Sequence, residues 1–336
     1  MHSKRQSHAK SGSILHNMPA YPGSRSAEDA SSDAASEDST GVASEETSAA
    51  VRSGTRRGLR AALRHAAAYL GIRAPKTPKH LVGGLAVLLS VVVLCLPSAY
   101  SVESPGPTAN VLGKDSGKEI ITVKGAKTYD GKGELRLVTV NASGVPGYPV
   151  TNAETLWAWI NPNATVMPVE AVVPVGQTAE EYQQESEKEM SSSQDSATSA
   201  ALSYASKQLG IDTDGVSVTM HVDDIGGPSA GMMYALGLID KLTPADETGG
   251  KIIAGTGTMA KDGKVGAIGG IRLKMLGAKR DGATWFLAPE SNCDEVVGHV
   301  PEGLRDVKVS TLDEAYQALV AIGEGKGDAL PQCSAD

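Results

Sequence analysis

The sequence predicts a mixed α/β (α+β) domain preceded by a single transmembrane helix and a disordered N-terminal tail. Three observations carry this reading. Residues 1–50 are rich in Ser, Ala and acids and almost devoid of large apolar side chains. Residues 81–102 are an uncharged, apolar run behind a basic flank. Beyond residue 103, stretches with strand-like alternation and stretches with helical spacing succeed one another over roughly 200 residues, long enough to form a core.

The tail comes first. A stretch such as "SAEDASSDAASEDSTGVASEETSAA" cannot bury enough surface to offset the entropy of ordering it, so 1–50 is read as disordered. Residues 51–80 hold eight Lys or Arg and no acid and form a basic juxtamembrane segment. The run "LVGGLAVLLSVVVLCLPSAYSV" at 81–102 is long enough for a membrane-spanning helix. Cations on its N-terminal side place the N-terminus in the cytoplasm and the chain after Glu103 outside, giving a single-pass protein of the cell membrane. A cleaved signal peptide ending at "PSA" before Tyr100 is the alternative, against which the long N-terminal region argues.

Charge and cysteines agree with export. The chain has 39 acids and 31 bases; setting aside the 7 acids and 12 bases of residues 1–80 leaves 32 acids and 19 bases beyond residue 102, a net charge of −13. Such a surface excludes nucleic acid as a ligand class. Cys95 lies in the apolar run, so Cys293 and Cys333 are the thiols outside, expected to pair in an oxidising compartment, with two free thiols as the alternative.

The exported part reads element by element. "EIITVKGAKTYDGKGELRLVTVNASGV" suggests hairpins with Gly turns, and "TNAETLWAWI" a short helix whose Trp157 and Trp159 serve packing. After a Glu-rich stretch, 191–211 is a helix ending at Gly210. Residues 215–224 alternate as a half-buried strand, with Val216, Val218, Met220 and Val222 on one face and Ser217, Thr219 and His221 on the other. A helix follows from Met232, then a strand–turn–strand over 251–270, a helix over 271–280, strands at "TWFLAP" and "DVKVSTL", and a closing helix "LDEAYQALVAI".

The strand at 215–224 runs into "DDIGGPSAG", which holds Ser229 on a tight turn at a helix start. A serine hydroxyl needs a base to act as a nucleophile. His299 sits in a Gly-His-Val-Pro loop and His221 faces the polar side of its strand, so neither is the favoured partner. On a helical wheel of 271–280, Lys274 falls beside the apolar stripe of Ile271, Met275 and Ala278, away from Arg272, Lys279 and Arg280. Desolvation there would favour the neutral amine; a fall from about 10.4 to near 7 corresponds to roughly 4–5 kcal/mol. The residues alone leave Lys274 either a general base or a side chain snorkelling over the core edge.

These residues resemble the proteolytic domain of Lon proteases, over roughly 115–323 and most closely over 221–290. "GPSAG" carries the serine in that family. Thr256-Gly257, the turn at Asp262-Gly263 and "IGGIRLK" ending at Lys274 match the Thr-Gly step, the hairpin and the Gly-Gly helix that bears its lysine. The resemblance implies a Lon proteolytic-domain fold over 103–323 with a C-terminal tail at 324–336, and a Ser229–Lys274 dyad in which Thr256 orients the amine. It implies a serine endopeptidase and a homo-oligomer, hexameric in the family; with no nucleotide-binding motif in the sequence, ATP-independent action on flexible or misfolded polypeptides is expected. Backbone amides around Gly226, Gly227 and Ser229 are the expected oxyanion donors; Asp223 and Asp224 either form the turn or shape the site. No cofactor and no metal is expected. The layout is similar to membrane-bound Lon-like proteases of Gram-positive bacteria, but the PDZ module usual between the 191–211 helix and the next strand is missing. No G-x-x-x-x-G-K-[ST] occurs, so no ATP-driven unfolding is expected. The competing class is a catalytically silent, membrane-tethered scaffold or peptide-binding protein that keeps the fold.

Overall fold

The computed structural model describes residues 16–17, 78–222 and 227–334. The predicted disordered tail and basic segment therefore lie outside the described residues, apart from a two-residue strand, His16–Asn17, and residues 78–80. Among the described residues, 78–94 belong to one compact unit and 95–334, with His16–Asn17, to the other.

The first unit contributes helix α1, Pro78–Cys95. Its Leu and Val side chains, Leu81, Val82, Leu85, Val87, Leu89 and Val93 among them, are exposed around the helix. Among the described residues no helix is long and apolar enough to cross a membrane. Of the span expected over 81–102, only Leu81–Cys95 is helical, a rise of ~22 Å. Pro97, which lacks an amide hydrogen, forms an isolated bridge with Thr151, and Tyr100–Val102 already belong to a sheet.

That sheet is built on two long antiparallel strands, β1 (Tyr100–Asn110) and, after the short strand β2 (Ile121–Lys124), β3 (Glu134–Ser143). Helix α2 (Asn152–Ile160) and strand β4 (Thr165–Pro168) follow, then α3 (Ala179–Leu209), β5 (Ser217–Met220) and α4 (Gly231–Leu242). The C-terminal half adds β6 (Ile252–Gly255), the paired strands β7 (Thr258–Met259) and β8 (Val265–Gly266), α5 (Ile271–Arg280), β9 (Trp285–Pro289), α6 (Cys293–Val296), β10 (Arg305–Val309) and α7 (Leu312–Gly323). The central sheet runs in the order β10–β9–β6–β3–β1–β4, with His16–Asn17 also paired to β3. Its first four strands are mutually parallel, and β1 and β4 reverse direction in turn.

Side-chain alternation places helices on both faces of the sheet. Ile253, Leu287, Val307 and Val309 join one apolar cluster with α3, α4 and α7, whereas Ala254, Phe286 and Ala288 join another with α5 and Val296 of α6. Every residue of α4 is buried, which makes it the central helix of its layer.

Several sequence expectations change. The hairpins expected between 108 and 150 do not all form locally: β2 pairs antiparallel with β5, Ile121 opposite Met220. Alternating apolarity shows that a strand has a buried face; it does not name its partner. The Glu-rich stretch and the 191–211 helix are one 31-residue helix, α3, opened by a Thr178–Glu181 capping box and closed by Gly210 at φ 67°. Trp157 and Trp159 are 69% and 58% exposed, because α2 turns only Thr155 and Ala158 inward. The tail expected at 324–336 is tied to the domain over its described residues: Lys308 N–H donates to Pro331 O at 2.9 Å, and Cys333 forms the expected disulfide with Cys293 across a separation of 40 residues.

Closing that loop restricts the unfolded chain, so the Cys293→Ser/Cys333→Ser double variant should lose roughly 3–4 kcal/mol of unfolding free energy. Denaturant titration of the full chain measures it; an unchanged midpoint in urea would refute a stabilising role for the bridge.

Candidate active site

Ser229 stands one residue before Ala230, the N-cap of α4. The turn is forced by its neighbours. Gly227 has φ 83°, a left-handed conformation that favours glycine, and Pro228 lacks an amide hydrogen. A Cβ on Gly231 would lie 2.9 Å from both Met259 N and Ser193 Oγ, so the start of α4 can approach β7 and α3 only without a side chain there. Among the bonds that hold the turn, Ser193 Oγ donates to Pro228 O at 2.9 Å, and Thr256 Oγ1 and Gly257 N–H donate to Ser229 O at 3.0 and 2.8 Å. Both lone pairs of the Ser229 carbonyl are thus engaged, which fixes its Cα and leaves Oγ to the other side.

Lys274 arrives from α5. The helix starts at Gly270, whose φ of 66° lets the chain turn sharply while passing close to β1 and β3; a Cβ there would lie 3.0 Å from Val140 Cγ1 and 3.5 Å from Glu103 Oε2. Asn292 clasps the preceding loop from the other side, accepting from Ile268 N–H at 3.0 Å and donating to Ile268 O at 2.9 Å. The result is a fully buried Lys274 whose Nζ donates to Ser229 Oγ at 2.7 Å, with Ser229 equally buried.

Burial dominates the electrostatics. Desolvation lowers the Lys274 amine from its ordinary value to about 7, partly offset by Glu103 and Glu295, whose negative charges favour the cation. Glu103 on β1 is 2% exposed and shifts the opposite way: burial raises it to about 7, and Lys274 pulls it back. Both groups are set near 7, burial disfavouring the charge on each and the opposite charge of the other favouring it. Near neutrality the amine can therefore exist uncharged against a hydroxyl, the state a general base requires.

The other expected site residues fall as follows. Asp223, Asp224 and Gly226 lie outside the described residues. Gly227 N–H donates to Ser186 O of α3 at 3.3 Å, so in this conformation it is committed to the helix. Thr256 was expected to orient the Lys274 amine; its hydroxyl instead donates to the Ser229 carbonyl and positions the serine. His221 sits at the end of β5 with its backbone N–H on Ile120 O, and the hydroxyl of Ser229 is bonded to Lys274. Glu103, Ser193 and Asn292 were not singled out in the sequence. Glu103 left one signal, a lone acid in a strand of small and apolar residues; Ser193 and Asn292 left none. Against Pro228 a cleft of about 410 Å³ opens between α3 and β7, lined by Glu185, Lys188, Ser193, Thr258 and Met259 among others.

A family model for the Lon protease (S16) C-terminal proteolytic domain matches residues 116–321. The chain belongs to the Lon protease family. It is 41% identical over 102 residues to the Lon protease of Clostridioides difficile (29% of this chain, 13% of that one) and 38% identical over 128 residues to Lon protease 2 of Herpetosiphon aurantiacus (34% and 16%). To Lon protease 1 of Bacillus subtilis it is 34% identical over 140 residues (38% and 18%). The chain thus spans less than a fifth of these relatives' length. The Lon match covers Ser229, Thr256 and Lys274 together, and begins beyond β1, which supplies Glu103.

Lys274 gives a stability test of its depressed pKa. Unfolding restores an amine of about 10.4, so the unfolded chain binds more protons between about pH 7 and about pH 10.4, and the Lys274 contribution to stability rises with pH across that window. Lys274→Met removes both the slope and the cost of burying a cation. Denaturant unfolding at pH 7 should show the variant more stable by about 3 kcal/mol, the relieved desolvation less one hydrogen bond, with the difference shrinking at pH 9. A variant less stable than the native chain at pH 7 would contradict the buried, half-neutral amine.

Proposed function

We propose that this chain is a membrane-attached, ATP-independent serine endopeptidase working through Ser229 and Lys274. The observation that carries the reading is the 2.7 Å bond between a fully buried Lys274 Nζ and Ser229 Oγ. Neutral Lys274 takes the hydroxyl proton as Ser229 Oγ attacks a peptide carbonyl; the lysine returns that proton to the leaving amine, and a water, deprotonated by the same amine, cleaves the acyl-enzyme. The N-terminus of α4 lies beside the developing oxyanion and favours negative charge there. Glu103 is a positioning residue in this scheme: its charge partly offsets the desolvation that lowers the proton affinity of the amine, without touching substrate.

In this reading the substrate is a flexible polypeptide, taken up without an unfolding step. The cleft beside Pro228 is where an extended segment would lie. Three features support attachment to the cell membrane in single-pass fashion, with the domain outside the cytoplasm: the basic residues of 51–80, the apolar α1, and a disulfide of the kind that oxidising compartments sustain. Helix α1 is short for such a span, a mismatch that local bilayer thinning relieves. Assembly as a homo-oligomeric ring is proposed by similarity to the family. The complete burial of Ser229 favours one competing reading, a silent scaffold, which a serine-reactive phosphonate separates: labelling of Ser229 supports the peptidase, and absence of labelling in an assembled, folded chain supports the scaffold.

The full chain should digest casein, and Ser229→Ala or Lys274→Ala should lower the rate by at least about 10³-fold with unchanged circular dichroism. Undiminished cleavage by either variant refutes the dyad. Because the amine must be neutral, kcat/KM should rise with pH through an acid limb near 7. Glu103→Gln removes a charge that favours the cation, so the limb should move to lower pH by about one unit. An upward shift would show that Glu103 acts otherwise.

A further inference from the structure

Helix α2 is the largest anomaly on the surface of the domain. Leu156, Trp157, Trp159 and Ile160 are exposed by 48, 69, 58 and 71%, and Tyr100 joins them, its ring 5.6 Å from that of Trp159 in an edge-on contact. Over residues 151–165, "TNAETLWAWINPNAT", Glu154 is the only charge, and it is occupied in the capping box at the start of the helix. A uncharged aliphatic and aromatic face of this kind is unusual on a surface that carries a strong net negative charge elsewhere.

The position of the patch in the chain says what covers it. Leu96, directly after α1, accepts a hydrogen bond from Asn152 N–H at 3.0 Å; Pro97 bridges Thr151; and Ser98 N–H donates to Val150 O at 2.8 Å. The first residues to leave the apolar helix are therefore stitched to the N-terminal end of α2. Wherever a bilayer ends around Leu96, the patch is within one or two helical turns of it. The uncharged part of the helix rises only ~22 Å, short of a hydrocarbon core of about 30 Å, so in a single-pass arrangement the residues that follow α1 would be drawn toward the lipid. Tryptophan and tyrosine are the residues that favour that boundary.

We infer that the exposed face of α2, with Tyr100, lies in the headgroup and acyl boundary of the membrane that α1 enters, docking the catalytic domain on the lipid surface. The inference rests on the membrane attachment proposed above and goes beyond it, since a tethered domain could equally stand clear of the lipid. Lipid is favoured over a second copy of this chain because Val150–Asn152, at the start of α2, are bonded to Leu96–Ser98, the residues that directly follow the apolar helix in the chain.

The chain has three tryptophans, Trp157, Trp159 and Trp285, and the third is packed under Arg305. This permits a direct test. The full-length Trp285→Phe chain, reconstituted in phosphatidylcholine vesicles, is first floated on a density gradient, and its emission is then compared in vesicles with bromine at shallow and at deep acyl positions. The expected result is flotation with roughly twofold quenching by the shallow bromines and less by the deep ones. Trp157→Ser/Trp159→Ser should keep the dichroism spectrum and the casein-cleavage rate of the native chain, and Trp285 alone should not be quenched. A chain that fails to float overturns the attachment and this placement with it. A chain that floats without quenching overturns only the docking. Unquenched emission that shifts to the blue with protein concentration, in step with self-association, overturns it in favour of a second copy.

Discussion

The structure depends on keeping one amine out of water. Lys274 is fully buried, and its chemistry exists because desolvation removes its charge at neutral pH. An isolated buried ammonium would be costly and would be expected to escape along its four-carbon stem. It cannot, because α5 is pinned at both sides of its start. Gly270 turns against Val140 and Glu103, and Asn292 holds Ile268 by both amide groups. The hydroxyl of Ser229 then supplies a partner for the amine, so the group that burial makes reactive is also the group that burial makes stable only when it is hydrogen-bonded.

Ser229 is held by a separate set of elements, which is why the pair can be rigid without being a single local motif. Ser193 comes from α3, Thr256 and Gly257 from the chain between β6 and β7, and the turn itself from the start of α4. Each bond is worth only about 1 kcal/mol net, yet together they fix the serine backbone from three directions. The parallel strands β6 and β9 place the Thr256 turn, and the packing of α3 on α4 places Ser193. A fault in any one of these contacts would shift Oγ by tenths of an ångström relative to an amine that has no freedom to follow.

Much of this was legible in the sequence because it follows local periodicity. The apolar stripe of Ile271, Met275 and Ala278 placed Lys274 at the core edge, and the glycines around Ser229 announced a turn at a helix start. What was not legible depends on distant pairings. No local pattern says that β2 joins β5, that Asn292 braces Ile268, or that Thr256 serves the Ser229 carbonyl and not the amine. The indoles misled for a related reason: aromatic residues usually bury themselves, and only the tertiary structure shows that α2 has its small residues, Thr155 and Ala158, facing inward. The end of α1 was misplaced because apolarity continues through Leu96 and Ala99 although Pro97 and the pairing of Tyr100 have already changed the backbone.

Strand β1 joins these two halves of the molecule. Successive side chains on a strand point to opposite faces, and β1 obeys this: Ser101 and Glu103 are buried, whereas Tyr100 is exposed against Trp159. Helix α5 packs on β1 beside Glu103, and α2 packs on β1 beside Tyr100. Three residues, or about 10 Å of extended chain, separate the ring in the exposed aromatic face from the carboxylate that opposes the desolvation of Lys274. The same strand follows α1 by only four residues. A one-residue slip in β1 would turn Glu103 outward and Tyr100 inward together, so the register of β1 against β3 and β4 fixes the aromatic face and the charge balance of the buried pair at once.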